Sequence, residues 1–154
     1  FSDFQCPFCA QAEPVMRALR REYKVQIKLV WRDFPLPIHP HAELAAEAAR
    51  EVLKQGKDEK FWSYHDLLFA HQGELSGADL ERYAEQVGGL NMGRFRRALA
   101  ARENAPRVQE DIAAYTGSGS HQGTPGFFVN GKLIEGAMPI EVFRSAINHE
   151  LALK

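Results

Sequence analysis

The sequence predicts an α/β protein whose open-sheet half is interrupted by an all-helical block. Residues 1–31 read as a strand end, a helix and a second strand. Helical spacing then dominates residues 41–116, and a hairpin followed by a helix occupies 127–151. Period-two runs at both ends of a long 3.6-period segment indicate a mixed sheet-and-helix architecture carrying an insertion.

Phe1-Ser2-Asp3-Phe4 alternates like the tail of a strand, so the expectation is that more of that strand, and a leader of signal-peptide type, precedes Phe1. From Cys6 onward Ala10, Ala12, Val15, Met16, Leu19 and Tyr23 make one helix face, and Pro14 is expected to bend the axis because it removes a backbone donor. Val25-Gln26-Ile27-Lys28-Leu29-Val30-Trp31 follows, with 25, 27, 29 and 31 on one face, which predicts a strand. The run Phe34-Pro35-Leu36-Pro37-Ile38-His39-Pro40 predicts a loop, since each proline fixes φ and biases its predecessor away from the helical region.

Leu44, Ala45, Ala48, Ala49, Val52 and Leu53 then give a helix ending at Gly56, and Phe61, Trp62, His65, Leu68 and Phe69 a second. Ser76 with Asp79 has capping-box spacing ahead of Leu80, Tyr83, Ala84 and Val87, and Gly88-Gly89 ends that helix. Phe95, Ala98 and Leu99, then Val108, Ile112 and Tyr115 around Pro106, mark the last helical pieces of the block. After a Gly/Ser-rich loop at 117–123, Phe127–Val129 and Lys132–Ile134 flank Asn130-Gly131, a pair that tolerates the positive φ a two-residue hairpin needs. Pro139 opens a final helix that turns Val142, Phe143, Ala146, Ile147 and Leu151 inward. No internal repeat is apparent.

With 154 residues and 45% apolar content, the chain can bury a core without disulfide staples. Nineteen basic against 20 acidic residues leave a formal charge of -1, so no strong field selects nucleic acid or an anionic membrane. No apolar run approaches the roughly 20 residues that span a bilayer.

The chemistry is concentrated in FQCPFCAQAEP. Cys6 and Cys9 are the only two cysteines, and at i and i+3 on a first helical turn they lie side by side, within disulfide reach. Unsatisfied N–H groups and the partial positive charge of a helix N-terminus stabilise a thiolate, and Cys6 stands to gain most. Cys9, a turn further in, should keep a higher pKa through burial. That asymmetry suits Cys6 to exchange and Cys9 to resolve. A purely structural disulfide would stabilise little, because the loop it closes is so short. A zinc site could recruit His39 and His41, although their spacing is not that of a zinc finger and no second CxxC exists.

CPFC after a strand end, a helix holding Pro14, the inserted helices and GTPGFFVNG before a C-terminal helix together resemble the DsbA-like branch of the thioredoxin superfamily, over nearly the whole chain. The resemblance implies a thioredoxin fold at 1–40 and 117–154, with its first strand truncated, and an inserted helical domain at 41–116. It implies that Pro125 matches the family's cis-proline beside the cysteines, and that Thr124 offers backbone groups to an extended substrate segment. It makes Pro7 and Phe8 the redox-tuning pair. Strong oxidants of the family carry histidine where Phe8 stands, and threonine before the proline resembles isomerase-like relatives as much as oxidants. The buried acid that the family keeps six residues before its first cysteine would fall before Phe1.

The implied activity is thiol–disulfide exchange with cysteines of protein substrates, with Cys6 exchanging and Cys9 resolving, most directly in support of oxidative protein folding. A membrane or soluble redox partner would recycle the pair. A reductase or isomerase of the same fold, or a redox-sensing domain attached to a membrane protein, are the alternatives. The resemblance implies no cofactor or metal beyond the cysteine pair, and the sparing use of cysteine fits an oxidising compartment, the bacterial periplasm or cell envelope. Asp3 reads as a turn or capping residue that could also relay protons, and His65 as a core or partner-facing histidine. Trp62, Phe61 and Phe69 read as core.

Overall fold

The computed structural model describes residues 1–153. Helix α1 (Pro7–Tyr23) runs through Pro14 without interruption, with Cys6 as its N-cap and Pro7 in its first turn. Proline is well suited to that position, since its missing N–H would be unpaired there anyway. Four helices follow: α2 (Ala42–Ala70), α3 (Gly77–Val87), α4 (Met92–Ala100) and α5 (Ala105–Thr116). The break expected at Gly56 falls one residue later, at Lys57, whose φ of 55° and ψ of -162° divide α2 into two segments. Ser76 and Asp79 form the full reciprocal capping box at the start of α3.

Strands β1 (Gly126–Val129) and β2 (Lys132–Glu135) form the antiparallel hairpin, in the register Gly126–Glu135 to Val129–Lys132. Its turn residues Asn130 and Gly131 have φ of 47° and 91°, the positive pair that a right-twisted hairpin demands. Residues 1–2 extend this layer. Phe1 and Gly126 exchange backbone hydrogen bonds of 2.7 and 2.9 Å, an antiparallel pair. On the other side Ser2 donates to the Arg32 carbonyl at 3.0 Å and accepts from the Phe34 amide at 2.9 Å, a parallel bridge to Asp33. The edge order is therefore 32–34, 1–2, β1, β2.

One sequence expectation is corrected here. Residues 25–31 form no strand: Lys24–Gln26 is a single 3-10 turn that leaves Val25 98% exposed, and the chain beyond it has no ladder before Arg32. A strand exists only against a neighbour, and of the stretch 25–34 only residues 32–34 lie alongside residues 1–2. Ile27 and Leu29 still turn inward.

Two clusters make the core. Met16, Leu19 and Tyr23 of α1 pack with Phe143 and Ile147 of α6 (Ile140–Ala152), over Phe127, Val129 and Ile134 of the hairpin. The helical insert has its own, built from Ala45, Ala48, Ala49, Val52, Tyr64, Leu68, Leu80 and Phe95. Phe4 belongs to the second cluster although it precedes α1, stacking on Trp31 at 4.7 Å. The short link between strand end and cysteine helix is thus anchored in the insert.

Candidate active site

Cys6 and Cys9 are both free thiols, 3% and 1% exposed. When protonated, the Cys6 thiol donates to the Thr124 carbonyl at 3.6 Å, and the Asp3 amide donates to Cys9 Sγ at 3.4 Å. Thr124 and Pro125 are joined by a cis peptide bond, and Pro125 shares the wall of a small cavity with Cys9. The four residues are brought together although more than a hundred positions separate the two motifs.

The thiols differ as their places on the helix require. A hydrogen bond from Cys9 pulls the Cys6 pKa down to about 5, against the opposing effect of burial and with help from the Thr124 side chain and the backbone N–H groups of Cys9 and Phe8. Burial first, and the neighbouring Cys6 second, push Cys9 far up. At neutral pH Cys6 is the thiolate and Cys9 the thiol that hydrogen-bonds to it.

The surrounding loop is held by Gln72, which sequence reading did not single out, and by Asp3, His39 and Tyr115 in contacts it did not foresee. Gln72, just past α2, donates through its amide to the carbonyls of Phe4 and Cys6, at 2.8 and 3.0 Å. Asp3 is a turn residue, accepting from Gln5 N at 2.7 Å, and its other oxygen takes Leu36 N at 2.8 Å and contacts His39 Nδ1 at 2.7 Å. His39 thus serves Asp3, and His41 is exposed at the start of α2 with its backbone N–H on Gln5. Tyr115 stacks on Phe1 at 4.5 Å and donates to the Gly123 carbonyl at 2.9 Å. Its hydroxyl fills the space where any Cβ at position 126 would stand, so only glycine fits after Pro125. Glutamine, tyrosine and histidine acting over such distances in the chain leave no local signature.

Phe8 is 60% exposed between the two buried sulfurs. Its ring adds neither charge nor a strong donor to Cys6. Phe8→His places a donor, or a cation when protonated, beside the thiolate. The expected result is a further fall in the Cys6 pKa and a more oxidising pair, by roughly 30 mV if the gain is about 1.4 kcal/mol. Thiolate absorbance against pH and equilibration with glutathione buffers read both quantities. If both stay unchanged, Phe8 serves packing or surface contact instead of tuning.

Among known proteins, the Thioredoxin family model matches residues 1–149. The chain is 47% identical over 148 residues to a Na(+)/H(+) antiporter NhaA 3 of Salinispora tropica, covering 96% of this chain and 22% of the antiporter. It is 46% identical over 153 residues to an NhaA 1 antiporter of Salinispora arenicola, covering 99% and 22%. The chain thus spans about a fifth of the length of these curated relatives. Among solved structures it resembles BdbD from Bacillus subtilis, with a TM-score of 0.84, 22% identity and coverage of 99% and 85%. It also resembles the thiol-disulfide exchange protein alpha-DsbA2 from Wolbachia pipientis, with a TM-score of 0.79, 24% identity and coverage of 96% and 77%. With a thioredoxin sequence match over nearly its whole length and the helical insert folded as in these structures, the chain belongs to the thioredoxin family, in its DsbA-like form.

Proposed function

We propose that the chain is a redox-active domain carried by an antiporter-like membrane protein at the cell envelope, and that Cys6 and Cys9 cycle between dithiol and disulfide by exchange with protein cysteines. The observation that carries the chemistry is the polarised thiol pair at the α1 N-terminus, Cys6 held low and Cys9 held high. The membrane setting is supported by the antiporters that this chain matches over nearly its whole length. No helix among the described residues is long and apolar enough to cross a membrane, so the membrane-spanning part would be supplied elsewhere in the protein.

In the reducing direction the Cys6 thiolate attacks one sulfur of a partner disulfide, forming a Cys6–partner disulfide and releasing a partner thiolate. Cys9 then loses its proton and attacks Cys6 sulfur, forming the Cys6–Cys9 bond and releasing the second partner thiolate. Reversal of the same steps oxidises a partner dithiol. A second reading, a free oxidant of folding proteins, is favoured by the low Cys6 pKa, since a stabilised thiolate stabilises the reduced form.

Two measurements test the readings, and the second separates them. The pair should oxidise and reduce reversibly in glutathione buffers. With a reduced, unfolded disulfide protein as substrate, a domain that only reports or relays redox state should exchange stoichiometrically. Multiple turnovers at substoichiometric amounts would instead favour the free oxidant. A pair that does not titrate at all overturns both.

A further inference from the structure

The loop that delivers Cys6 to the head of α1 has little backbone bonding of its own. Within residues 3–6 the Cys6 amide donates to the Asp3 carbonyl at 3.2 Å. The Cys6 carbonyl accepts the first bond of the helix, from the Ala10 amide at 3.2 Å, as an N-cap carbonyl does. The Phe4 carbonyl has no backbone donor among the described residues, although Phe4 is 1% exposed. A carbonyl buried without a donor costs stability, so this loop depends on a donor from elsewhere.

Gln72 of the insert supplies it. Its amide nitrogen donates to the Phe4 carbonyl at 2.8 Å and to the Cys6 carbonyl at 3.0 Å, so that one NH2 group spans Gln5 and fixes the peptide on either side. A primary amide carries two donors on one nitrogen, which a carboxylate or a hydroxyl does not. The residue lies in the turn that closes α2, between the buried Leu68 and Leu75. That turn is held by the His71 amide on the Leu68 carbonyl at 3.3 Å and the Glu74 amide on the His71 carbonyl at 2.9 Å. The Cys6 carbonyl is therefore gripped along the helix by Ala10 and across it by Gln72. With φ of -72° and ψ of 122°, Cys6 is the joint between the loop and the helix. Its ψ sets where the Phe8 and Cys9 N–H groups stand relative to its own sulfur, and those N–H groups favour the Cys6 thiolate.

We propose that Gln72 is a positioning residue for Cys6, whose amide, donated from the helical insert, holds the Cys6 carbonyl so that the head of α1 is aimed at the exchanging sulfur, and thereby sets the redox equilibrium of the pair. This rests on the exchange reading above. Gln72 touches none of the reacting atoms. When two glutathione thiols reduce the Cys6–Cys9 bond, the products are the Cys6 thiolate, the Cys9 thiol and oxidised glutathione. Of the two thiol protons, one is bound at Cys9 and one is released. The thiolate exists only on the reduced side, so N–H groups aimed at it stabilise that side alone and make the pair more oxidising. Pairing of the Phe4 carbonyl is common to both sides and leaves the equilibrium where it is.

Gln72→Met keeps the length of the side chain and removes both donors. Wild type and variant are equilibrated with glutathione buffers at pH 7, and the oxidised fraction is read by thiol alkylation. The variant is expected to favour the disulfide by about 10-fold in equilibrium constant, roughly 30 mV less oxidising, with the Cys6 pKa raised in a thiolate absorbance titration. The cycle must close: denaturant unfolding of each form should show the reduced protein losing more stability than the oxidised one, by the same factor. Gln72→Lys keeps donors on a longer arm and should hold the equilibrium at the wild-type value or further toward the dithiol; a shift toward the disulfide as large as that of Gln72→Met overturns the proposal. Should Gln72→Met fail to fold, Gln72→Asn, whose amide is one methylene too short to reach both carbonyls, makes the same comparison. Equal loss of stability in the two forms, with equilibrium and Cys6 pKa unchanged, reduces Gln72 to a clamp on the loop and overturns the proposal while leaving exchange intact. A wild-type pair that does not equilibrate with glutathione overturns the exchange reading itself, and the role of Gln72 with it.

Discussion

Cys6→Ser is expected to abolish disulfide exchange completely, whereas Cys9→Ser should keep the attacking thiolate and accumulate mixed disulfides. The reason is the unequal placing of two sulfurs on one turn. Cys6 caps α1, where the backbone N–H groups of Phe8 and Cys9 and the Cys9 thiol all favour its anion. Cys9 is enclosed by Asp3, Ser2 and the small cavity, and burial opposes its ionisation. A serine at position 9 can still donate a hydrogen bond to Cys6, so the Cys6 pKa should rise only modestly and trapping should stay efficient at neutral pH. A serine at position 6 leaves Cys9 as the sole thiol, with a native pKa far above the ordinary value of about 8.5 and little access to a partner. Non-reducing gels after incubation with oxidised glutathione or a disulfide-bonded protein, with mass spectrometry of the adducts, read the outcome. Equal trapping at both sulfurs would remove the division of labour between them.

The opposed pKa shifts of the two thiols were expected from the sequence because the helix-position part of their cause is local. Helix position, the proline at the first turn and the three-residue spacing all lie within CPFC, whereas the burial that raises Cys9 and the Thr124 contact to Cys6 come from the rest of the fold. The hairpin was equally legible at Asn130-Gly131, and the α3 start at Ser76 and Asp79, since each depends on chemistry within four residues. The 25–31 segment shows where that reasoning stops. Alternation states a tendency to pair, but pairing needs a neighbour, and residues 25–31 have no backbone partner strand among the described residues. The supports of the site were hidden for the same reason. Gln72 holding the Cys6 carbonyl, Tyr115 against Gly126, and His65 facing Glu13 are contacts over 66, 11 and 52 positions. All three come from the insert or its rim, and periodicity assigned two of them simply to a buried helix face. What the sequence could not express is that the insert reaches the chemistry as well as covering it.

The insert is joined to the sheet edge by a buried ionic cluster, and Asp111→Ala is expected to destabilise the protein by about 3–5 kcal/mol, the cost of leaving a buried charge without its partner. Asp111 is fully buried on α5 and accepts from Arg32 at 2.6 Å, Arg50 at 2.8 Å, Arg107 at 2.8 Å and the Asp33 amide at 2.9 Å. Arg50, from α2, is 8% exposed and also holds Asp33 at 2.5 Å. Burial alone would raise the Asp111 pKa, but the Asp33 amide and the arginines hold it below the usual carboxylate range. Its contribution is therefore fully present above about pH 4 and is lost only as pH falls through the lowered native value, so at pH 7 the substitution shows its whole effect. With the carboxylate gone, Asp33 must balance Arg50 alone, and the Asp33 amide and the Arg32 and Arg107 guanidinium groups lose an acceptor. Asp111→Asn, which keeps the side chain's shape and one acceptor oxygen, should lose less, and the difference between the two isolates the charge from the packing. Thermal unfolding at pH 7 should show a fall in Tm on the order of 10 °C for the alanine variant. A loss below about 1 kcal/mol would mark the cluster as no stronger than a surface ion pair. Because Arg32 and Asp33 flank Ser2, the amides of Ser2 and Phe34 should also exchange with solvent faster in the variant, so that loosening the insert is felt at the strand that leads into Cys6.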